Sequence, residues 1–258
     1  MRARFGCARP ALAAGLALVL FATAGAYAAH ATVKALPKAG WHGEFGAGLS
    51  SSSGVAVTTS MNSTDRLRDT VGLWSYGGDL SYNYFSYNGV AGVNRLVTTL
   101  DVRRSFKSAP ISFVVGSVRY DHNLFDGYDH YFVEMLNAGR TVLATRTMHL
   151  NLEAGGGARQ NYYPGGRAAE DEPVGDVAMN YVWHLRRGTR FSEHLSVMGA
   201  RSGTLITSTS GVTTTLVFHL ALKFSEEVIH YTSLPSTALV HYATTTTFTT
   251  LNLIYHIG

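Results

Sequence analysis

From Met148 to Arg159 the side chains sort by twos. Met148, Leu150, Leu152, Ala154 and Ala158 fall on one face, and His149, Asn151, Glu153 and Arg159 on the other. The stretch from Val174 to Leu185 repeats the pattern, with Val177, Met179, Tyr181, Trp183 and Leu185 set against Asp176, Asn180 and His184. Only a β-strand alternates its side chains with period two, so each stretch reads as one strand between an apolar and a polar medium. Such strands recur from Trp41 to Ile257 with turn residues between them.

The N-terminus says where such strands go. Arg2, Arg4 and Arg9 precede an apolar run from Ala11 to Gly25, and Ala26-Tyr27-Ala28 supplies a small-x-small cleavage site. Residues 1–28 therefore read as a secretory signal peptide, and residues 29–258 as one exported domain. An uncleaved anchor is the alternative, but the run is short and rich in Ala and Gly. Cys7, the single cysteine, leaves with the signal, so no disulfide or Cys-bound metal is expected. Removing the three leader arginines from 21 basic residues leaves 18 against 17 acidic ones. With so little net charge, no nucleic-acid partner is expected. The mean hydropathy is only +0.05, and no apolar run beyond the signal is long enough to cross a bilayer as a helix.

Strands are expected at 41–50, 55–62, 71–84, 95–104, 111–121, 128–137, 148–159, 174–185, 191–198, 213–220, 222–232 and 249–257. That is about twelve, an even number as single-chain bacterial barrels require. If both termini lie at one end, short turns are needed near 65–69, 107–110, 139–146, 186–189 and Leu220. The long polar connections at 163–173 and 234–241 then fall at the other end. Trp74, Tyr82, Tyr84, Tyr131, Tyr181, Trp183 and Tyr255 read as interfacial aromatics on the outward face. The fold class expected is all-β, a single transmembrane antiparallel up-and-down β-barrel in the outer membrane of a Gram-negative bacterium. A soluble secreted sandwich is the alternative, but runs of ten or more residues suit a tilted crossing of ~9–11 residues better. Glu193 and Glu226 fit this scheme poorly, since they fall among outward apolar residues. A strand end, a bulge or a shifted register is expected there.

Arg119-Tyr120-Asp121, then Phe125-Asp126-Gly127-Tyr128-Asp129, then Gly155-Gly156-Gly157-Ala158-Arg159, resemble the salt-induced outer-membrane protein family, a YdiY-like domain of unknown function. Trp41, Gly43, Gly46 and Gly48 before a Ser/Gly turn are similar to that family's first hairpin. Leu220 to Ser225, Pro235 and the Thr-rich last strand are similar to its closing segment. The resemblance implies an outer-membrane barrel and brings no catalytic residues with it. Glu226 replaces an aromatic, and the chain ends Tyr255-His256-Ile257-Gly258 rather than on an aromatic.

The lumen face collects Asp79, Asp101, Arg103, Arg119, Glu153, Arg159, Asp176 and His184, with Lys223 and Glu227. Charges inside a barrel must be paired or hydrated. Their balance predicts one salt-bridged polar network filling the interior, or a narrow porin-like pore without strong selectivity. Asp121, His122, Asp126, Asp129 and His130 cluster near one loop. They match no EF-hand or zinc spacing, so turn chemistry is expected there, with a metal-binding loop as the alternative. Gly155 and Gly157 read as room for a bulky neighbour or a bend.

His219 and His230 accompany many Ser and Thr, but no spacing singles out a nucleophile. The chain is therefore expected not to be an enzyme and to need no cofactor. An outer-membrane lipid hydrolase or acyl-transferase is the alternative. The partners expected are outer-membrane lipids and, during biogenesis, the barrel assembly machinery, with the protein monomeric. The role expected is a narrow channel or a structural or stress-related protein of the cell envelope.

Overall fold

The computed structural model describes residues 40–52, 58–109, 111–123, 127–233 and 244–258. The signal peptide expected at 1–28, Asp126 and the connection at 234–241 lie outside the described residues. The strands run β1 (Gly40–Ser52), β2 (Thr58–Val71), β3 (Trp74–Tyr87), β4 (Val90–Ser105), β5 (Ser112–Asn123) and β6 (His130–Ala144). They continue with β7 (Met148–Tyr162), β8 (Glu170–Arg186), β9 (Thr189–Ala200), β10 (Gly203–Val217), β11 (Leu220–Tyr231) and β12 (Thr245–Ile257). Each pairs antiparallel with its sequence neighbours, and β1 pairs with β12, so the sheet closes into a barrel of twelve strands. The closing seam is short. Five residue pairs join β1 to β12, from Gly43–Ile257 to Ala47–Leu253.

Three strands depart most from expectation, among them β6, which runs to Ala144 through the residues expected to turn at 139–146. β2 continues to Val71, through the residues expected to turn at 65–69. Arg66 and Arg68 make that segment look like a loop, but both face the lumen, where Asp79 receives them. The turn falls instead at Gly72, whose φ of +62° suits glycine. β10 begins ten residues earlier than expected, at Gly203, because its Ser/Thr residues pair with both neighbours along their length. Two-residue turns join β2–β3, β8–β9 and β10–β11 at the end where β1 begins and β12 finishes, the terminal end of the barrel. The connection at 163–169, with one 3-10 turn at Pro164–Gly166, lies at the other end. Two tight turns, β3–β4 and β9–β10, share that loop end, so the expected asymmetry is only partial.

The outer surface is apolar where water would be least welcome. Leu100, Leu136 and Val177 lie well inside their strands, yet are 62%, 67% and 61% exposed. Leaving such a side chain in water forgoes ~1.5–3 kcal/mol, which a lipid medium restores. Tyr131 is a correction to the aromatic list, since it is 1% exposed and points inward. Its register partner is Asp121, a lumen residue, and paired residues share a face.

Glu193 and Glu226 also require correction. Neither is at a strand end, and β9 and β11 carry no bulge at these positions. Both face outward in one register row, Glu193–Ser210–Glu226–Thr249. Glu193 accepts hydrogen bonds from Ser208 Oγ at 2.8 Å and from Ser210 Oγ. Hydroxyls on the next strand thus satisfy the carboxylate in place of water.

Gly155 and Gly157 mark where β7 crowds β6. A Cβ on Gly157 would lie 1.7 Å from the Glu134 carbonyl oxygen, and one on Gly155 would lie 2.2 Å from that of Leu136. Backbone atoms cannot swing aside as side chains can. Gly157→Ala is therefore expected to force β6 and β7 apart at the upper end of the ~1–3 kcal/mol typical of overpacking. Gly116→Ala, with open space around it, serves as the neutral control. The readout is the urea concentration at which the fast-migrating folded band disappears from an unboiled gel. Equal midpoints for the two variants would contradict the close approach.

Candidate functional site

The site is the lumen, and its polar residues come from the inward positions of nearly every strand. In the half nearer the loops, apolar and aromatic side chains meet across the barrel. Tyr128, Tyr131, Val133, Val174, Met198, Leu205, Ile229 and Tyr231 form one buried cluster, with Phe248 packed against it. These residues come from β6, β8, β9, β10, β11 and β12 and from the approach to β6, so the cluster spans the barrel's width.

Two buried arginines staple this plug to the wall. Arg95 is 2% exposed. Its Nη2 donates to Asp121 Oδ2 at 2.8 Å and its Nη1 to Glu227 at 3.2 Å. Asp121 is the hub, for it also accepts from Arg119 Nη2 at 2.8 Å and from the Tyr131 hydroxyl at 2.9 Å. Arg159, 3% exposed, pairs with Glu172 at 3.1 Å and donates to the Tyr128 hydroxyl at 3.0 Å. Its guanidinium lies over the rings of Tyr128 and Tyr131, 5.1 and 5.4 Å from their centroids. Glu172 in turn accepts from Asn161 and from the backbone N–H and hydroxyl of Ser202. At these positions buried charge is both paired and hydrogen-bonded, the condition for tolerating it.

Below the plug lies a cavity of about 540 Å³, with an adjoining one of about 190 Å³. Arg66 Nε donates to Asp79 at 2.7 Å, Arg68 also donates to Asp79, and Arg68 reaches Asp101 at 3.3 Å. The last contact crosses β3 above Gly77, which stands in register between Arg68 and Asp101. A Cβ there would meet both side chains at 2.3 Å. Glu44 pairs with Arg190 across the lumen. Arg103 stacks on Phe113, 3.5 Å from the ring centroid. Asp176 accepts from Ser196 Oγ at 2.8 Å and Asn137 Nδ2 at 3.3 Å, and Glu153 accepts from Asn180.

The expected residues Asp79, Asp101, Arg103, Arg119, Glu153, Arg159 and Asp176 all face inward, but they do not join into a single network. The pairs separate into an upper group around Asp121, a rim group around Glu172, a lower group around Asp79 and the Glu44–Arg190 pair. Among the described residues, no ion pair within 4 Å includes Arg103, Glu153 or Asp176. His184 lines a separate recess at the terminal end with Arg190 and His256. The principal partners missing from the sequence-based list, Arg95 and Glu172, begin or end polar stretches that look like loop margins. The Arg-to-acid match across strands needed the register.

Over residues 45–256 the chain matches the family described as protein of unknown function, DUF481. The chain belongs to this family. A curated relative, the uncharacterized protein YdiY of Escherichia coli (strain K12), is 28% identical over 153 residues, 59% of each chain. This chain thus spans 59% of the length of the curated relative it matches. Among solved structures, the NanC porin has a TM-score of 0.47 at 7% identity, covering 83% of this chain and 97% of that one. The translocator domain of autotransporter NalP from Neisseria meningitidis also scores 0.47, at 10% identity, covering 85% and 88%.

In this DUF481 barrel His122, Asp129 and His130 of the candidate metal loop come together, and Asp121 does not join them. Asp121 is committed to the lumen hub, whereas His122, next along β5, faces outward. Asp126 lies outside the described residues. Asp129 instead meets His122 and His130. At the loop end, Tyr163 donates to Glu170 at 2.7 Å beneath Arg167, which lies 4.0 Å from the ring centroid. Burial, followed by that hydrogen bond, pushes the Tyr163 hydroxyl above the ordinary phenol range.

Proposed function

We propose that this protein is an integral outer-membrane β-barrel whose lumen is closed to bulk solutes. It serves the cell envelope as a structural element or as a channel no wider than its polar crevices, and it does so without catalysing a reaction. One observation carries the reading, namely the apolar and aromatic plug pinned by Arg95 and Arg159 across the loop-end half of the lumen. A barrel of ~8 strands is filled and one of ~16 is a water channel, so at twelve the side chains decide. Here bulky residues take the middle of the path. The cavity beneath is charge-balanced: Arg66, Arg68, Arg103 and Arg119 face Asp79, Asp101, Glu153 and Asp176.

Conductance in planar bilayers tests this. The reconstituted protein is expected to show no large open steps, and whatever current passes should discriminate little between cations and anions. A stable conductance of porin size would overturn the proposal. Orientation has its own test. Arg167, more than half exposed in the 163–169 loop, should be cleaved by trypsin added outside intact cells. Cleavage only after the outer membrane is opened would reverse the assignment of ends.

A further inference from the structure

The lumen accounts for most of the buried charge but not for a compact group at the outside of the loop-end rim. His122 on β5 and His130 on β6 are direct register partners. Residues so paired share a face, with Cβ atoms ~4.5–5.5 Å apart. Here the face is the outward one, since Asp121 and Tyr131, their chain neighbours, point into the lumen. Asp129 stands beside His130, and His122, Asp129 and His130 each place a ligand atom within 4.8 Å of the other two. His122 Nδ1 lies 2.6 Å from the Asp129 carbonyl oxygen, and His130 Nδ1 lies 2.8 Å from Asp129 Oδ2. Both imidazoles thus turn an edge toward the same residue. The His130 ring is fixed by stacking on Tyr162, with centroids 4.4 Å apart and planes 13° from parallel, and Tyr120 flanks it at 5.7 Å.

We propose that His122, Asp129 and His130 form a binding site for a divalent transition-metal ion, with Zn²⁺ as the reference case. The chemistry of the set selects the ion. Two imidazoles and one carboxylate suit Zn²⁺, Ni²⁺ or Cu²⁺, whereas Ca²⁺ and Mg²⁺ require oxygen ligands. Three protein ligands leave a fourth tetrahedral position for water or for a group brought with the metal. Metal–ligand bonds of about 2.0–2.2 Å place tetrahedral ligand atoms roughly 3.4 Å apart. Separations of at most 4.8 Å must therefore shorten by no more than about 1.4 Å. Asp129 can supply this, as its side chain is 44% exposed and precedes the first residue of β6. In the lumen the two most buried carboxylates, Asp121 and Glu172, hold arginine. Among the described residues Asp129 meets no Lys or Arg within 4 Å, and its ionic partner is His130. A hydrogen-bonded strap closing the β5–β6 hairpin would use the same contacts, so binding itself has to be measured.

The test uses the full mature chain, untagged, folded in detergent and titrated with Zn²⁺ by calorimetry. One ion per barrel is expected. His122→Gln and His130→Gln should each weaken binding at least tenfold. His230→Gln, which alters another rim histidine bonded to Thr245, should leave it unchanged. Folding of each variant is checked by its unboiled gel shift, and Asp129→Asn replaces any variant that fails. Cu²⁺ gives an independent readout. Its paramagnetic spectrum should show imidazole nitrogen coupling that His130→Gln reduces, and binding should quench tyrosine emission through Tyr162 and Tyr120. No saturable Zn²⁺ binding in the millimolar range, or binding unchanged in both histidine variants, would overturn the site.

Discussion

Asp121→Asn is expected to be the most destabilising single polar substitution in the barrel, costing about 3–5 kcal/mol. The carboxylate is 1% exposed and accepts from Arg95, Arg119 and Tyr131 at once. An amide of the same shape keeps the packing but leaves two guanidiniums side by side, with Glu227 as their nearest compensation. Arg95→Met should cost less, because Asp121 keeps Arg119 and Tyr131. Replacing the pair together, Arg95→Met with Asp121→Leu, should recover part of the loss, since a buried ion pair is often matched by apolar residues of similar volume. Urea midpoints of the three variants check the order. A double variant less stable than Asp121→Asn would show that the hub does more than balance its own charges.

Truncating the plug should have the largest functional effect. Tyr131 and Tyr231 face each other's strands across the loop-end lumen and are 1% and 7% exposed. Replacing both with Ala removes two rings from the cluster that also holds Met198, Leu205 and Ile229. Resolved single-channel steps are expected where the unaltered protein gives none. Selectivity should stay weak, because neither substitution changes the formal charge of the wall. Each large-to-small change in a packed core costs about 3–5 kcal/mol, so currents should be read on barrels that still shift on an unboiled gel. A silent double variant that remains folded would place the barrier elsewhere, and the terminal end with Phe113 and Ile254 would be the next candidate.

The sequence declares its strands because lipid and lumen impose opposite demands on alternate residues. The two faces of β7 and β8 are legible, as Leu150, Leu152, Val177 and Met179 oppose Glu153, Asp176 and Asn180, although β8 begins at Glu170, inside the polar loop expected at 163–173. β2 is not, because its outward face carries Asp65 and Asp69 beside Leu67 while Arg66 and Arg68 occupy the inward one. Charge on both faces hides the period. Asp79, Arg119 and Arg159 could be named as lumen residues from parity, but their partners Arg66, Arg68, Asp121 and Glu172 could not. Arg95 and Glu227 are 132 positions apart, and only the closed sheet brings them together. Glu193 looks like an error from its own strand alone, since the hydroxyls that satisfy it belong to β10. The His122–His130 pairing likewise depends on a register that a hairpin with an uncertain turn does not reveal.

The unequal edges of β1 mark one seam of the closed sheet as weaker than the other. Thirteen residue pairs hold it to β2 and five hold it to β12. The weaker edge is also the one whose halves are farthest apart along the chain, and the entropy of bringing ends together rises with that distance, though slowly. Hairpins such as β6–β7 join neighbours along the chain, whereas this junction joins the first strand to the last. It is therefore expected to be the first to part under denaturant. A barrel parted at this seam is a curled sheet with two free margins, and Phe45, Leu253 and Tyr255 are the residues that those margins would expose to a new environment.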